Sequence, residues 1–159
     1  MLTVSKILET IPHEVCIEAK KLEKILKLTK KAERDKLQIA LIALNKLGLI
    51  QQNDLGSFIK INNNAFIQGR LRCSTKGYCF AVRNDGGEDI YIRDQYLNSA
   101  WHGDSVLVKI TREGIRRRSP EGQIQCILER NTETLVCVLD QDEENIIGIP
   151  LEERILSTI

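Results

Sequence analysis

Side chains that could bind nucleic acid are concentrated in one short stretch, KGYCFAVRNDGGEDIYIRD at residues 76–94. It contains three aromatic rings, although aromatic residues make up only 4% of the chain. Rings on neighbouring strands can stack on bases, and the lysines and arginines beside them can neutralise phosphates. The same rings could instead fill a hydrophobic core. The strand pattern decides between these two interpretations.

Side chains alternate between the two faces of a strand, so the spacing within this stretch predicts where each ring points. Tyr78 and Phe80 are two residues apart and share one face. On the next strand, Tyr91 and Arg93 share a face. The residues left for the core are Cys79, Ala81, Ile90 and Ile92. We predict that the rings face outward, because the opposite arrangement would expose two isoleucines.

Basic residues are expected around this aromatic surface. Lys76, Arg83 and Arg93 flank the rings, and three adjacent arginines at 116–118 lie in a loop between two predicted strands. Such a loop suits phosphate capture without base readout, and a solvated hairpin tip is the alternative. The candidate nucleic-acid-binding residues are Lys76, Tyr78, Phe80, Arg83, Tyr91, Arg93, Arg116, Arg117 and Arg118.

The first 64 residues have the pattern of a small helical unit followed by a hairpin. Apolar residues at helical spacing predict a short helix ending near Pro12, a lysine-rich helix around Leu22 and a third helix from about Ala32 to Leu47, with Gly48 as its C-terminal cap. Two short strands at 49–52 and 57–61 follow. This order is typical of a winged helix-turn-helix that binds duplex nucleic acid or a protein partner. A compact helical cap without a ligand is the alternative.

After a polar break at 62–64, the apolar pattern changes from helical to strand periodicity. Five strand-like runs lie at 65–73, 77–83, 88–93, 104–111 and 122–129. They predict a small, closed or nearly closed antiparallel barrel of the OB type. The predicted fold class is α+β. Its domains are a winged helix at 1–64, the barrel at 65–132 and the first strands of a second barrel module at 133–159.

Two sequence segments resemble the paired RNA-contact strands of cold-shock domains: KGYCFAV and DIYIR. Together with GRLR, AWHGDSVLVKI and EGQIQCILERN, they are similar to the amino-terminal region of the ribonuclease II/ribonuclease R family. In that family, a helix-turn-helix unit and two cold-shock modules precede a catalytic domain. The A-x-x-G-D-x-V segment at 100–106 and the E-G-x-I segment at 121–124 are the most specific parts beside the aromatic strands.

This resemblance implies that the chain binds single-stranded RNA and guides it toward a processive, hydrolytic 3′ to 5′ exoribonuclease domain. Only 27 residues follow Thr132, so we expect the chain to be a fragment of a longer enzyme. The resemblance implies magnesium in the later catalytic domain, and we expect no catalytic site, cofactor or metal in this part. The alternative is a stand-alone nucleic-acid-binding regulator of the cold-shock type.

Charge distribution, cysteine spacing and hydropathy give further predictions about partners, metal sites and location. Residues 1–64 carry 11 basic and 7 acidic residues and residues 65–132 carry 11 and 8, whereas residues 133–159 carry 1 and 7. These basic excesses favour an anionic partner only slightly. The acidic run DQDEE at 140–144 is interpreted as a solvated turn rather than a metal site. The five cysteines lack metal-ligand spacing and are interpreted as buried, reduced thiols. No membrane segment or secretory signal is expected, which favours a cytoplasmic protein.

Overall fold

The computed structural model describes residues 2–62, 65–141 and 145–159, and the chain divides into two compact units, 1–64 and 65–159. The first unit contains helices and a small sheet, and the second contains a closed five-stranded barrel and a two-stranded sheet. The predicted α+β class is therefore confirmed. The further separation of 133–159 as a module of its own stays a prediction.

Three helices build the core of the first unit: α1 (Val4–Thr10), α2 (Ala19–Ile25) and α3 (Lys31–Lys46). Helix α3 buries Leu37, Leu41 and Leu44, which recur at helical spacing on one side. Gly48 follows the end of α3, and its φ of +72° is the left-handed conformation that favours glycine after a helix. Both the position of this helix and its cap were predicted from the sequence.

A three-stranded sheet completes this unit. It consists of β1 (Ile17–Glu18), β2 (Ile50–Gln52) and β3 (Ser57–Lys60), in the order β1-β3-β2. The predicted hairpin joins β2 to β3, and the Asn53 carboxamide oxygen closes it by accepting the backbone N–H groups of Leu55 and Ser57. Strand β1 was not predicted, because two residues are too short to show alternation.

Five strands of the second unit close into a barrel in the order β4-β5-β6-β8-β7. Their bounds are β4 (Phe66–Cys73), β5 (Cys79–Arg83), β6 (Ile90–Ile92), β7 (Ser105–Arg112) and β8 (Glu121–Glu129). The prediction of a purely antiparallel barrel is wrong, because β6 pairs with β8 in parallel. A Cβ on Gly122 would lie 2.6 Å from Val108 Cγ1, so glycine at this position lets the strands approach.

The A-x-x-G-D-x-V segment serves the barrel structurally. Asp104 is fully buried, and its carboxylate accepts hydrogen bonds from the backbone N–H groups of Trp101 and Asn131 and from the Arg130 guanidinium. Arg130 also lies over the Trp101 ring, with its Cζ 4.2 Å from the ring centroid. A buried carboxylate requires such compensation. This network joins the β7 entry to the end of β8.

Beyond the barrel, β9 (Cys137–Gln141) and β10 (Ile146–Pro150) form an antiparallel ribbon. The last residues of the chain contact both this ribbon and the barrel. The Gly148 and Ile159 backbones exchange hydrogen bonds, and the Trp101 indole N–H donates to Ser157 Oγ. Residues 142–144 of the acidic run lie outside the described residues. The interpretation of that run as a solvated turn therefore stays a prediction.

The prediction that all five cysteines are buried, reduced thiols is wrong for Cys73 and Cys79, which are oxidised, and for Cys16, which is exposed. Cys73 and Cys79 form a disulfide, because they are directly opposite each other at the paired ends of β4 and β5. They are six residues apart in sequence, and a tight turn brings them together. Cys16, Cys126 and Cys137 are free thiols, and of these only Cys16 is exposed. Burial raises the pKa of the Cys126 thiol.

Candidate nucleic-acid interface

The predicted alternation of rings and core residues is confirmed. Cys79, Ala81, Ile90 and Ile92 are at most 1% exposed and line the barrel core. Phe80 and Tyr91 face the outside directly opposite each other, with ring centroids 5.3 Å apart and planes tilted by 52°. Tyr78, just before β5, is 57% exposed. The alternative that the rings fill the core is contradicted by these burials.

Phe80 and Tyr91 lie in a surface depression of about 360 Å³. The other side chains that line it come from the residue directly after β6, from β7, from β8 and from the loop before β8: Arg93, Arg112, Arg118, Ser119 and Glu121. Three guanidinium groups thus surround a pair of rings. We call this feature the ring depression. It combines a stacking surface with cations, as single-stranded nucleic acid requires.

One carboxylate organises two of these arginines. Glu121, at the start of β8, is mostly buried and accepts hydrogen bonds from Arg93 at 3.0 Å and from Arg112. Both arginines stay about half exposed. Because the parallel β6–β8 pairing places Tyr91 opposite Glu121, the carboxylate lies beside the ring. Glu121 therefore fixes the two guanidinium groups and partly neutralises them.

Arg83 is also paired, at the other end of β5. Its guanidinium donates to both carboxylate oxygens of Asp85, at 2.8 and 2.6 Å. This hydrogen bonding lowers the pKa of Asp85 to about 2, with a smaller contribution from the Gly87 N–H, and it raises the pKa of Arg83. Arg83 does not line the ring depression. A phosphate would have to compete with Asp85 for it.

The other predicted cations lie in turns. Lys76 is exposed in the β4–β5 turn, next to Gly77 with a φ of +84°. Arg116 and Arg117 form the tip of a hairpin turn that the backbones of Ile115 and Arg118 close. Only Arg118 of the three loop arginines reaches the ring depression. The structure thus brings together Phe80, Tyr91, Arg93 and Arg118, and it leaves the other predicted residues around them.

Sequence reasoning missed three residues of this surface: Arg72, Arg112 and Glu121. Arg72 is exposed on β4 directly opposite Phe80, on the side away from Tyr91. The alternation in RLRC indicated an outward Arg72, but only the β4–β5 register shows which ring it meets. No local signal links Arg112 to Glu121, because a β-bulge shifts the register between their strands.

Metal-ligand geometry, the role of the histidines and the length of the helices bear on other expectations. Across residues 2–62, 65–141 and 145–159, no three His, Cys, Asp or Glu side chains are grouped so that they could hold a metal ion. His102 uses Nδ1 to accept the Cys73 backbone N–H at 3.0 Å, and its Nε2 faces Arg154. None of the described helices has the length and apolar composition needed to cross a bilayer.

Two family comparisons cover most of the described elements. Residues 69–127, from β4 to β8, match the family described as "Ribonuclease B OB domain". Residues 5–58, from α1 to β3, match "Cyanobacterial RNase R, N-terminal domain". The chain belongs to the ribonuclease II/ribonuclease R family. Within that family, it corresponds to the amino-terminal modules that the sequence resemblance indicated.

Similar curated proteins agree with this assignment. The "Acetazolamide conferring resistance protein zam" of Synechocystis sp. is 37% identical over 97% of this chain, which spans 20% of that protein. Ribonuclease R of Acidithiobacillus ferrooxidans is 26% identical over 84% of the chain, which spans 31% of it. Ribonuclease R of Thermotoga maritima is 29% identical over 76% of the chain, which spans 17% of it. The chain thus spans less than a third of the length of each of these relatives.

Among solved structures, the chain is similar to Mycoplasma genitalium RNase R, which was solved in complex with ribose methylated single-stranded RNA. The identity is 21% and the TM-score is 0.40, over 52% of this chain and 13% of that one.

Proposed function

We propose that the barrel binds single-stranded RNA through the ring depression and guides it to the catalytic domain of a ribonuclease II/R-like enzyme. The observation that carries the proposal is the meeting of Phe80 and Tyr91 with three arginines in one open depression. A base can stack on either ring while guanidinium groups hold the adjacent phosphates. Tyr78 and Arg72 would extend this path along β5 and β4.

The chain's first unit is proposed to be a winged helix. Its support is the order α1-β1-α2-α3-β2-β3, in which the β2–β3 hairpin follows the longest helix. In winged helices that bind DNA, the corresponding helix enters the major groove.

In the proposal, the whole protein is a cytoplasmic, hydrolytic 3′ to 5′ exoribonuclease. Magnesium serves only its catalytic domain, so RNA binding by these modules does not need a metal.

The proposal is tested by titrating a short labelled single-stranded RNA with the chain, in the presence of a chelator, at two salt concentrations. Replacing Tyr78, Phe80 and Tyr91 by alanine together is expected to weaken binding on the order of 100-fold, because each stacked base is worth about 1–3 kcal/mol. Binding by the unaltered chain should also weaken with salt, by about 0.7 log units per tenfold change in salt for each phosphate held.

The matched control is Leu139→Ala, which removes a large exposed apolar side chain elsewhere in the same unit. It should bind RNA like the unaltered chain. Circular dichroism checks that the triple variant folds. A folded triple variant with undiminished affinity would show that RNA, if bound, lies on another surface.

A further inference from the structure

Helix α3 is apolar on two sides. Its inner side buries Leu37, Leu41 and Leu44, as the core of the unit requires. Its outer side carries Ile39 and Ile42, each 68% exposed. A surface helix normally places polar residues opposite its buried stripe. Two exposed isoleucines close together on this 16-residue helix therefore make its outer side a candidate docking surface.

Charged residues continue the outer isoleucine stripe in both directions. Asp35 and Lys46 are exposed, four residues before Ile39 and four residues after Ile42. At about 100° per residue, all four side chains lie within about 60° of one another around the helix. We call these four residues the outer stripe. Its two charged ends are about 16 Å apart along the helix axis, at 1.5 Å per residue.

The outer stripe is complementary to itself in the antiparallel direction. If two α3 helices cross antiparallel with a two-fold axis between positions 40 and 41, Ile39 of each meets Ile42 of the other. The same axis places Asp35 of each helix against Lys46 of the other. Such an arrangement is what a symmetric dimer needs, because one surface must serve as both partners. We propose that a second copy of this chain docks on the outer stripe.

The charges favour a second copy over duplex nucleic acid. Asp35 would repel a phosphate backbone, and isoleucines offer no hydrogen bonds to base edges. Within the described residues, neither Asp35 nor Lys46 takes part in an ion pair, so both are available to a partner. One helix pair is a small interface, so the association is weak and needs a high protein concentration. This proposal does not depend on RNA binding.

The test is sedimentation velocity over a wide range of concentration, with the 159-residue chain carrying Cys16→Ser so that the exposed thiol cannot cross-link copies. The chain should pass from monomer to dimer as concentration rises. Asp35→Lys or Lys46→Asp alone should raise the dissociation constant at least about tenfold, because each places like charges together twice. The double variant should restore association, since the two charges merely exchange places.

The matched controls are Asp54→Lys and Lys36→Asp, which make the same charge changes at exposed positions off the outer stripe. They should dimerise like the parent, and circular dichroism confirms the fold of every variant. Three results would each overturn the proposal: a monomer at all concentrations, single variants that associate like the parent, or a double variant that stays monomeric. A monomer whose outer-stripe variants lose duplex binding would assign the surface to nucleic acid instead.

Discussion

The ring depression of the barrel and the outer stripe of α3 are both exposed apolar surfaces, but they differ in chemistry. The depression combines aromatic rings with three arginines and one carboxylate. The outer stripe combines two aliphatic side chains with one acid and one base. Rings surrounded by excess positive charge suit bases and phosphates, whereas isoleucines between balanced charges suit a protein surface. The neighbours of an exposed apolar group, more than its exposure, indicate its partner.

The two surfaces also differ in how firmly their charges are held. In the depression, Glu121 binds Arg93 and Arg112, so these guanidinium groups are oriented before any ligand arrives. On the outer stripe, Asp35 and Lys46 are held by no ion pair among the described residues. Pre-oriented side chains lose less conformational entropy on binding. The depression is therefore the better prepared of the two surfaces.

The largest expected effect on RNA affinity comes from comparing a double variant of the ring depression with a double variant of the outer stripe. Phe80→Ala with Tyr91→Ala should weaken single-stranded RNA binding by about 10- to 100-fold, because a stacking partner is lost at two positions. Ile39→Ser with Ile42→Ser should leave RNA affinity within about twofold, because serine removes only aliphatic surface that bases do not use. Fluorescence anisotropy with one labelled RNA measures both.

The same two double variants are expected to show the opposite order of effects on self-association. Sedimentation should show that the isoleucine variant is monomeric and that the aromatic variant still self-associates. If the isoleucine variant loses RNA binding as strongly as the aromatic variant does, the two surfaces act as one and the comparison fails.

A smaller effect is expected from Glu121→Gln. The change removes the charge that neutralises Arg93 and Arg112, and it keeps the side-chain shape and one of the two oxygen acceptors. RNA affinity should rise about threefold, with a steeper salt dependence, because more positive charge faces the phosphates. Glu129→Gln, an exposed acid on the same strand, is the control and should change neither quantity. Weaker RNA binding by Glu121→Gln would mean that orientation of the arginines matters more than their charge.

The smallest effect concerns Arg83, which lies outside the depression, and the pKa of its partner Asp85. NMR titration should give Asp85 a pKa of about 2, and Arg83→Gln should bring it back toward 3.8. Because the folded-state pKa is lowered, the Arg83–Asp85 contact stabilises the fold above about pH 4 and is lost as pH falls toward 2. Glu152, held at a pKa of about 2 by Arg154, is the internal control and should not move. An Asp85 pKa unaffected by Arg83→Gln would contradict this account.

Local patterns predicted much of this molecule. The alternation around Tyr78, Phe80 and Tyr91 was sufficient to separate ring from core positions, because strand geometry depends on nearest neighbours. The apolar spacing of α3 and its glycine cap were readable for the same reason. The helical unit, the hairpin and the five barrel strands therefore followed from the sequence.

Contacts that depend on how the strands are aligned were not predictable in this way. The parallel β6–β8 pairing, the Cys73–Cys79 disulfide and the Arg112–Glu121 contact depend on strand register. Register is set by the whole barrel and by bulges that leave no pattern of their own. The RNA-binding roles of the nine candidate residues stay predictions. The structure divides these residues into those that line the ring depression and those that lie outside it.

The parallel pairing of β6 with β8 also has a kinetic consequence. It joins Tyr91 to Glu121, about 30 residues further along the chain, through a strand of only three residues. Contacts between distant segments form late in folding, because the entropy of closing the loop is lost before the contact is made. The antiparallel β4–β5 hairpin, with a short turn, can form early. We therefore expect Phe80, which this hairpin carries, to be positioned early in folding, and Glu121 to reach Tyr91 only when β6 and β8 pair.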